Sequence, residues 1–77
     1  MKMRLKELRR RCGVTQNFLA DMLQIEQSAL SKFENQDDAL ISTLSRYVTA
    51  LGGTLVIEVQ VGGEKYTISQ FKGKASG

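Results

Sequence analysis

Gln16 and Gln27 stand eleven residues apart, and each opens a segment in which a small polar residue and then an apolar pair follow: Gln16-Asn17-Phe18-Leu19 and Gln27-Ser28-Ala29-Leu30. A primary amide carries a carbonyl acceptor and two N–H donors on one planar group. At the first turn of a helix such a group has backbone N–H groups beside it that lack intrahelical partners. Amide and N–H groups together can hold an anion such as phosphate. The amide alone matches a planar partner that offers a donor and an acceptor side by side, as N6 and N7 of adenine do.

The rest of the inventory narrows the chemistry. The chain of 77 residues has no histidine and one cysteine, Cys12. A single thiol forms no intrachain disulfide, and without histidine it builds no zinc site. No carboxylates are gathered by spacing, and Gly52-Gly53 lacks the lysine and the preceding strand of a phosphate-cradling loop. These features point away from an enzyme and away from any metal or other cofactor. Cys12 is expected as a small buried hydrophobe.

Charge is unevenly placed. Residues 1–12 carry Lys2, Arg4, Lys6, Arg9, Arg10 and Arg11 against Glu7 alone. Residues 13–53 reverse the balance, with Asp21, Glu26, Glu34, Asp37 and Asp38 against Lys32 and Arg46. The net charge of +3 therefore conceals a basic end, which suits a polyanionic partner or a solvated helix face. No apolar run approaches the ~18 residues of a membrane span. The charged start MKMRLKELRRR has no apolar signal-peptide core, so a soluble, cytoplasmic protein with no membrane partner is expected.

Two hydrophobic periods divide the chain. Up to Leu51 the apolar residues recur at intervals of three and four, and from Thr54 to Phe71 they alternate. Gly52-Gly53 separates the regimes, and Gly62-Gly63 splits the second. The pattern predicts a mostly α chain: four helices in residues 1–51, a β-hairpin over 54–71 and a flexible tail over 72–77. The first helix is expected over residues 2–12, with Leu5, Leu8 and Cys12 inward. The second follows Thr15 as N-cap, with Leu19 and Leu23 inward and Ala20 allowing close approach of another helix. The third spans residues 27–34, with Ala29, Leu30 and Phe33 inward. The fourth spans residues 41–51, with Leu44, Tyr47, Val48 and Leu51 as its apolar stripe.

The hairpin register follows from a two-residue Gly-Gly turn, which pairs Val61 with Glu64, Val59 with Tyr66, Ile57 with Ile68 and Leu55 with Gln70. That register gathers Leu55, Ile57, Val59, Val61, Tyr66 and Ile68 on one face, and sends Glu58, Gln60, Lys65 and Thr67 to the other.

Two short helices joined by Gln24-Ile25-Glu26 have the geometry of a helix-turn-helix, whose second helix can enter the major groove of DNA while the first crosses the backbone. Gln16 then lies near a phosphate and Gln27 faces base edges. The stretch TQNFLADMLQIEQSALSKFE, Thr15 to Glu34, resembles the lambda-repressor-like (XRE) helix-turn-helix family, whose pattern reads TQ-x-x-LA-x-x-LG-[VI]-[ST]-Q-[ST]-x-[IV]-S-x-[IFW]-E. The first and fourth helices also fall where that family has them.

The resemblance implies base contacts by Gln27, Ser28 and Lys32. It implies phosphate contacts by Thr15, Gln16, Ser31, Asn35, Arg10 and Arg11, with Lys6 also turned to the backbone. It further implies an architectural ion pair between Arg9 and Glu34, across helices 1 and 3. Two departures are visible: the family usually has glycine at Gln24, and serine or threonine at Glu26. A carboxylate at Glu26 favours the helix dipole, repels phosphate, and would accept from cytosine N4. Phe18 and Met22 also fall where the family has polar residues; they are expected to cover helix 1, the alternative being an apolar patch for a partner.

One recognition helix reads too few bases to single out a site, so a homodimer on a palindromic double-stranded DNA operator is expected, acting as a transcriptional repressor. A lone hairpin is marginal in water. It is the natural dimer element, with Leu55, Ile57, Val59, Tyr66 and Ile68 at the interface. The alternative is an antitoxin that binds a protein toxin and represses its own operon, since small XRE-like proteins with an appended strand region resemble such antitoxins. The tail over 72–77 is too short to wrap a toxin, so Phe18 or the Asp37-Asp38 loop would have to meet it. A third reading, a protein-interaction module without DNA binding, has only Glu26 in its favour.

Overall fold

The computed structural model describes residues 2–71, which form α1 (Leu5–Arg11), α2 (Gln16–Leu23), α3 (Gln27–Asn35), α4 (Ile41–Ala50), β1 (Glu58–Val61) and β2 (Glu64–Thr67). The expected tail, residues 72–77, lies outside the described residues. The chain falls into two compact units, one ending at Ala39 and one beginning at Leu40. No helix among the described residues is long and apolar enough to cross a membrane.

In the first unit α1 begins three residues later than its periodicity suggests. Arg4 is extended, at φ −86° and ψ 160°, and gives no side-chain cap. Nothing in Lys2-Met3-Arg4 can satisfy the orphan N–H groups of a longer helix. Glu7 in the first turn and Arg9, Arg10 and Arg11 in the last complement the helix dipole. The helix closes at Cys12, and Gly13 leaves at φ +74°, a left-handed conformation that suits glycine. Cys12 is exposed. Its expected burial fails because it lies past the helical turn that would have aimed it inward.

Thr15 starts α2, its Oγ1 accepting from the Phe18 N–H at 3.1 Å. At the other end Gln24 adopts φ 59° and ψ 46°, and the Ile25 N–H returns to the Ala20 carbonyl at 3.0 Å. This left-handed closure is the one that normally recruits glycine. The three-residue connection then releases α3, whose N-cap Glu26 is extended and makes no side-chain capping bond.

Leu19, Ala20 and Leu30 form the buried apolar centre of this unit. Ala29 is exposed and Phe33 only half-buried, so the inward stripe of α3 is narrower than expected. Phe18 and Met22 are 57% and 49% exposed. They do not cover helix 1 as expected, because on α2 both stand about 110° or more from the middle of the buried Leu19–Ala20 edge.

In the second unit Tyr47 is fully buried and Ser45 is buried two residues before it on α4. The hairpin pairs Glu58 with Thr67, Val59 with Tyr66, Gln60 with Lys65 and Val61 with Glu64. The Ile68 N–H adds a bond to the Ile57 carbonyl at 2.8 Å, which carries the expected register one pair further. Gly62 and Gly63, at φ +60° and +83°, make the two-residue turn whose twist matches that of paired strands. Every residue in β1 and β2 is exposed, while Leu55, Ile57 and Ile68 are half-buried.

Candidate nucleic-acid interface

A chain of side-chain hydrogen bonds runs from α1 to the leading turn of α3. Arg9 is its origin. The Arg9 Nε donates to Glu34 Oε2 at 2.7 Å, and its Nη2 donates to Oε1 at 3.3 Å. The Arg9 Nη1 donates to the Val14 carbonyl at 3.0 Å, which ties down the connection ahead of α2. Both charges are out of water, the side chain of Arg9 being 7% exposed and that of Glu34 0%. A forked guanidinium facing a carboxylate satisfies both partners in the plane such a pair prefers.

The chain continues outward. Glu34 Oε1 also accepts from Gln16 Nε2 at 3.0 Å, and Gln16 Oε1 accepts from Gln27 Nε2 at 3.0 Å. Gln16 is half-buried, and Gln27 is exposed at the end of the series. The resemblance supplies the Arg9–Glu34 pairing, but sequence reasoning missed that both glutamines are wired to it. A signal was present: Gln27 and Glu34 are seven residues apart, close to two helical turns, so they lie along one face of α3.

Beside this chain is a groove of about 640 Å³ lined by Lys6, Arg9 and Arg10 of α1, by Gly13, Val14 and Thr15, and by Gln16 and Ser31. No acidic side chain lines it. The first turn of α2 opens onto it, and by helix geometry its leading N–H groups lack intrahelical acceptors. Cationic side chains and such a helix start together suit an anionic oxygen.

The remaining candidates divide. Ser28 and Lys32 are exposed on α3, and Ser31 is half-buried facing the groove. Asn35 is exposed, but its Nδ2 donates to the Ser31 carbonyl of its own helix at 2.8 Å. Arg10 is exposed, whereas Arg11 Nε lies 3.9 Å from Glu7 Oε2 along the same helix. Sequence reasoning also missed an exposed contact between Arg4 Nη1 and Asp37 Oδ1 at 3.7 Å. The expected dimer residues Leu55, Ile57, Val59, Tyr66 and Ile68 all belong to the second unit, Val59 and Tyr66 being exposed on paired strands.

Two helices in a helix-turn-helix arrangement, a presented glutamine and an adjoining cationic groove define the class: a DNA-binding helix-turn-helix fold. Among solved structures, a HigA antitoxin whose unique dimerization induces DNA bending aligns at a TM-score of 0.78 with 30% identity, covering 96% of this chain and 99% of that one. The DNA-bound antitoxin HigA3 aligns at 0.76 with 32% identity, covering 90% and 92%. "Putative antitoxin HigA2" of Mycobacterium tuberculosis (strain ATCC 25618 / H37Rv) is 44% identical over 68 residues, which is 86% of this chain and 67% of that protein. Residues 5–57 match the helix-turn-helix model HTH_3, and the chain belongs to that XRE-type family.

Proposed function

We propose that this protein is a homodimeric repressor that binds a palindromic double-stranded operator, with the leading turn of α3 in the major groove. One observation carries the reading: Gln27 is exposed at the start of α3 while its amide is bonded to Gln16, which borders the cationic groove. A group aimed at a base and a group aimed at a phosphate are thereby set at a fixed separation. Gln27, Ser28 and Lys32 read base edges. Thr15, Gln16, Ser31 and Arg10 meet phosphate, with Asn35 and Arg11 joining once they leave their own helices. The segment from 54 to 71 is the dimerisation element, joined through Leu55, Ile57, Val59, Tyr66 and Ile68.

A gel shift on the DNA upstream of the protein's own gene tests this. Gln27→Ala should lose ~1–3 kcal/mol of discrimination for the preferred site, with an unchanged circular dichroism spectrum. Equal retention of parent and variant across unrelated duplexes refutes base reading by α3.

The regulator also acts as an antitoxin. This second reading is favoured by the 44% identity to the HigA2 protein, and by the likeness to two solved HigA antitoxins. It requires a partner protein, and a protein encoded next to it should co-purify with it. The exposed Phe18 and the exposed Asp37-Asp38 loop are the candidate contact points.

A further inference from the structure

We infer that Glu34, which is out of water and on the inner side of α3, fixes which way round Gln27 presents its amide and so selects the base that Gln27 reads. The inference rests on the proposed role of Gln27 and adds a positioning residue behind it.

The argument is one of donors and acceptors. Arg9 supplies only donors, and two of them are directed at Glu34. An ionised carboxylate supplies only acceptors. Gln16 therefore has one way to face Glu34, with its Nε2 turned inward, as observed at 3.0 Å. That choice turns Gln16 Oε1 toward Gln27, and an oxygen there accepts only from a donor. Gln27 must answer with Nε2, as it does at 3.0 Å.

The polarity of a buried ion pair is thus passed through two amides, and neither can flip alone without setting oxygen against oxygen or N–H against N–H. Gln27 is left with its Oε1 and its second N–H side by side and unspent. An acceptor next to a donor is the complement of adenine N6 and N7. Reversed, Gln27 would turn its oxygen to Gln16 and present its NH2 outward, which suits the paired acceptors O6 and N7 of guanine.

The test is a binding selection from a pool of random-sequence DNA duplexes, with sequencing of the bound fraction, on the full chain and three variants. Gln27→Ala first locates the position read by Gln27, as the one whose adenine preference disappears. If no position changes, base reading by Gln27 fails, and this inference falls with it. Gln16→Met then cuts the relay without touching the Arg9–Glu34 pair. At the Gln27-dependent position the ratio of adenine to guanine should fall from about tenfold or more to within about threefold. The other positions should keep their preferences. Overall affinity can drop through a lost phosphate contact, but that does not alter a ratio at one position.

Glu34→Gln can keep its oxygen on Arg9 Nε, give up the longer bond from Arg9 Nη2, and donate to Gln16, which reverses the series. If the variant folds by circular dichroism, guanine should overtake adenine at that position. If it does not fold, Gln16→Met decides the matter. An adenine preference unchanged within twofold in Gln16→Met overturns the relay and leaves base reading by Gln27 standing.

Discussion

The two units solve the problem of small size in opposite ways. The unit ending at Ala39 closes on itself: three short helices surround Leu19, Ala20 and Leu30, and the only buried charges among the described residues meet each other at 2.7 Å. The unit beginning at Leu40 buries Tyr47 but leaves Val59, Val61 and Tyr66 of its hairpin 39%, 60% and 52% exposed. A two-stranded ribbon with an uncovered apolar face is marginal in water. The contrast teaches where each unit obtains its order. The first draws it from internal packing and a polar network, whereas the second has apolar side chains for which another copy of the chain is the proposed cover.

The sharpest way to break that contrast is Glu34→Ala. Removing one partner of a buried pair leaves an uncompensated charge, at a cost of about 3–5 kcal/mol. A core of this size supplies no more than about that in net stability. The variant should therefore be largely unfolded at 25 °C, as urea titration followed by circular dichroism would reveal. A folded Glu34→Ala within 1 kcal/mol of the parent, where about 1 kcal/mol is an ordinary substitution, would mean that the network is not what orders the first unit.

Val59→Lys attacks the other side of the comparison. It should leave the helical signal intact and raise the dimer dissociation constant by about tenfold or more, since covering the 39% of Val59 that is exposed contributes roughly 0.6–1.2 kcal/mol in each copy. Sedimentation velocity across a dilution series reads the change. An unaltered dimer would place the interface somewhere other than the hairpin.

The smallest effect sharpens the comparison. Gln24 sits at φ 59° in the turn between α2 and α3, where a side chain costs about 1–2 kcal/mol in the folded state. Gln24→Gly relieves that cost but adds freedom to the unfolded chain. A net gain of a few tenths to about 1 kcal/mol is expected in the urea midpoint of the first unit. A loss would show that the glutamine side chain makes a compensating contribution.

Much of this architecture was legible from residue order alone. Periods of 3.6 and 2 are separated by Gly52-Gly53, and the Gly62-Gly63 turn fixed every hairpin pair that forms. Thr15 and Gln24 also did what their positions demanded. The failures share a cause. Cys12 and Ala29 are placed inward by spacing on ideal helices, and Phe18 and Met22 by their apolar character, but in helices of seven to nine residues the ends and flanks stay exposed. The candidate site was half visible. Residue types announced the glutamines, but the bonds from Gln16 to Glu34 and Gln27 join residues 18 and 11 apart. Such bonds depend on how helices cross, which no local pattern encodes.

The bare apolar face of the hairpin also bears on dosage. On the homodimer reading, two chains must meet before either grips its half-site, so occupancy of the operator at low abundance rises with the square of the number of chains. Halving the supply of protein would then cut that occupancy about fourfold rather than twofold. A strip of valines and a tyrosine would thereby turn a gradual change in synthesis or breakdown into a steep change in transcription.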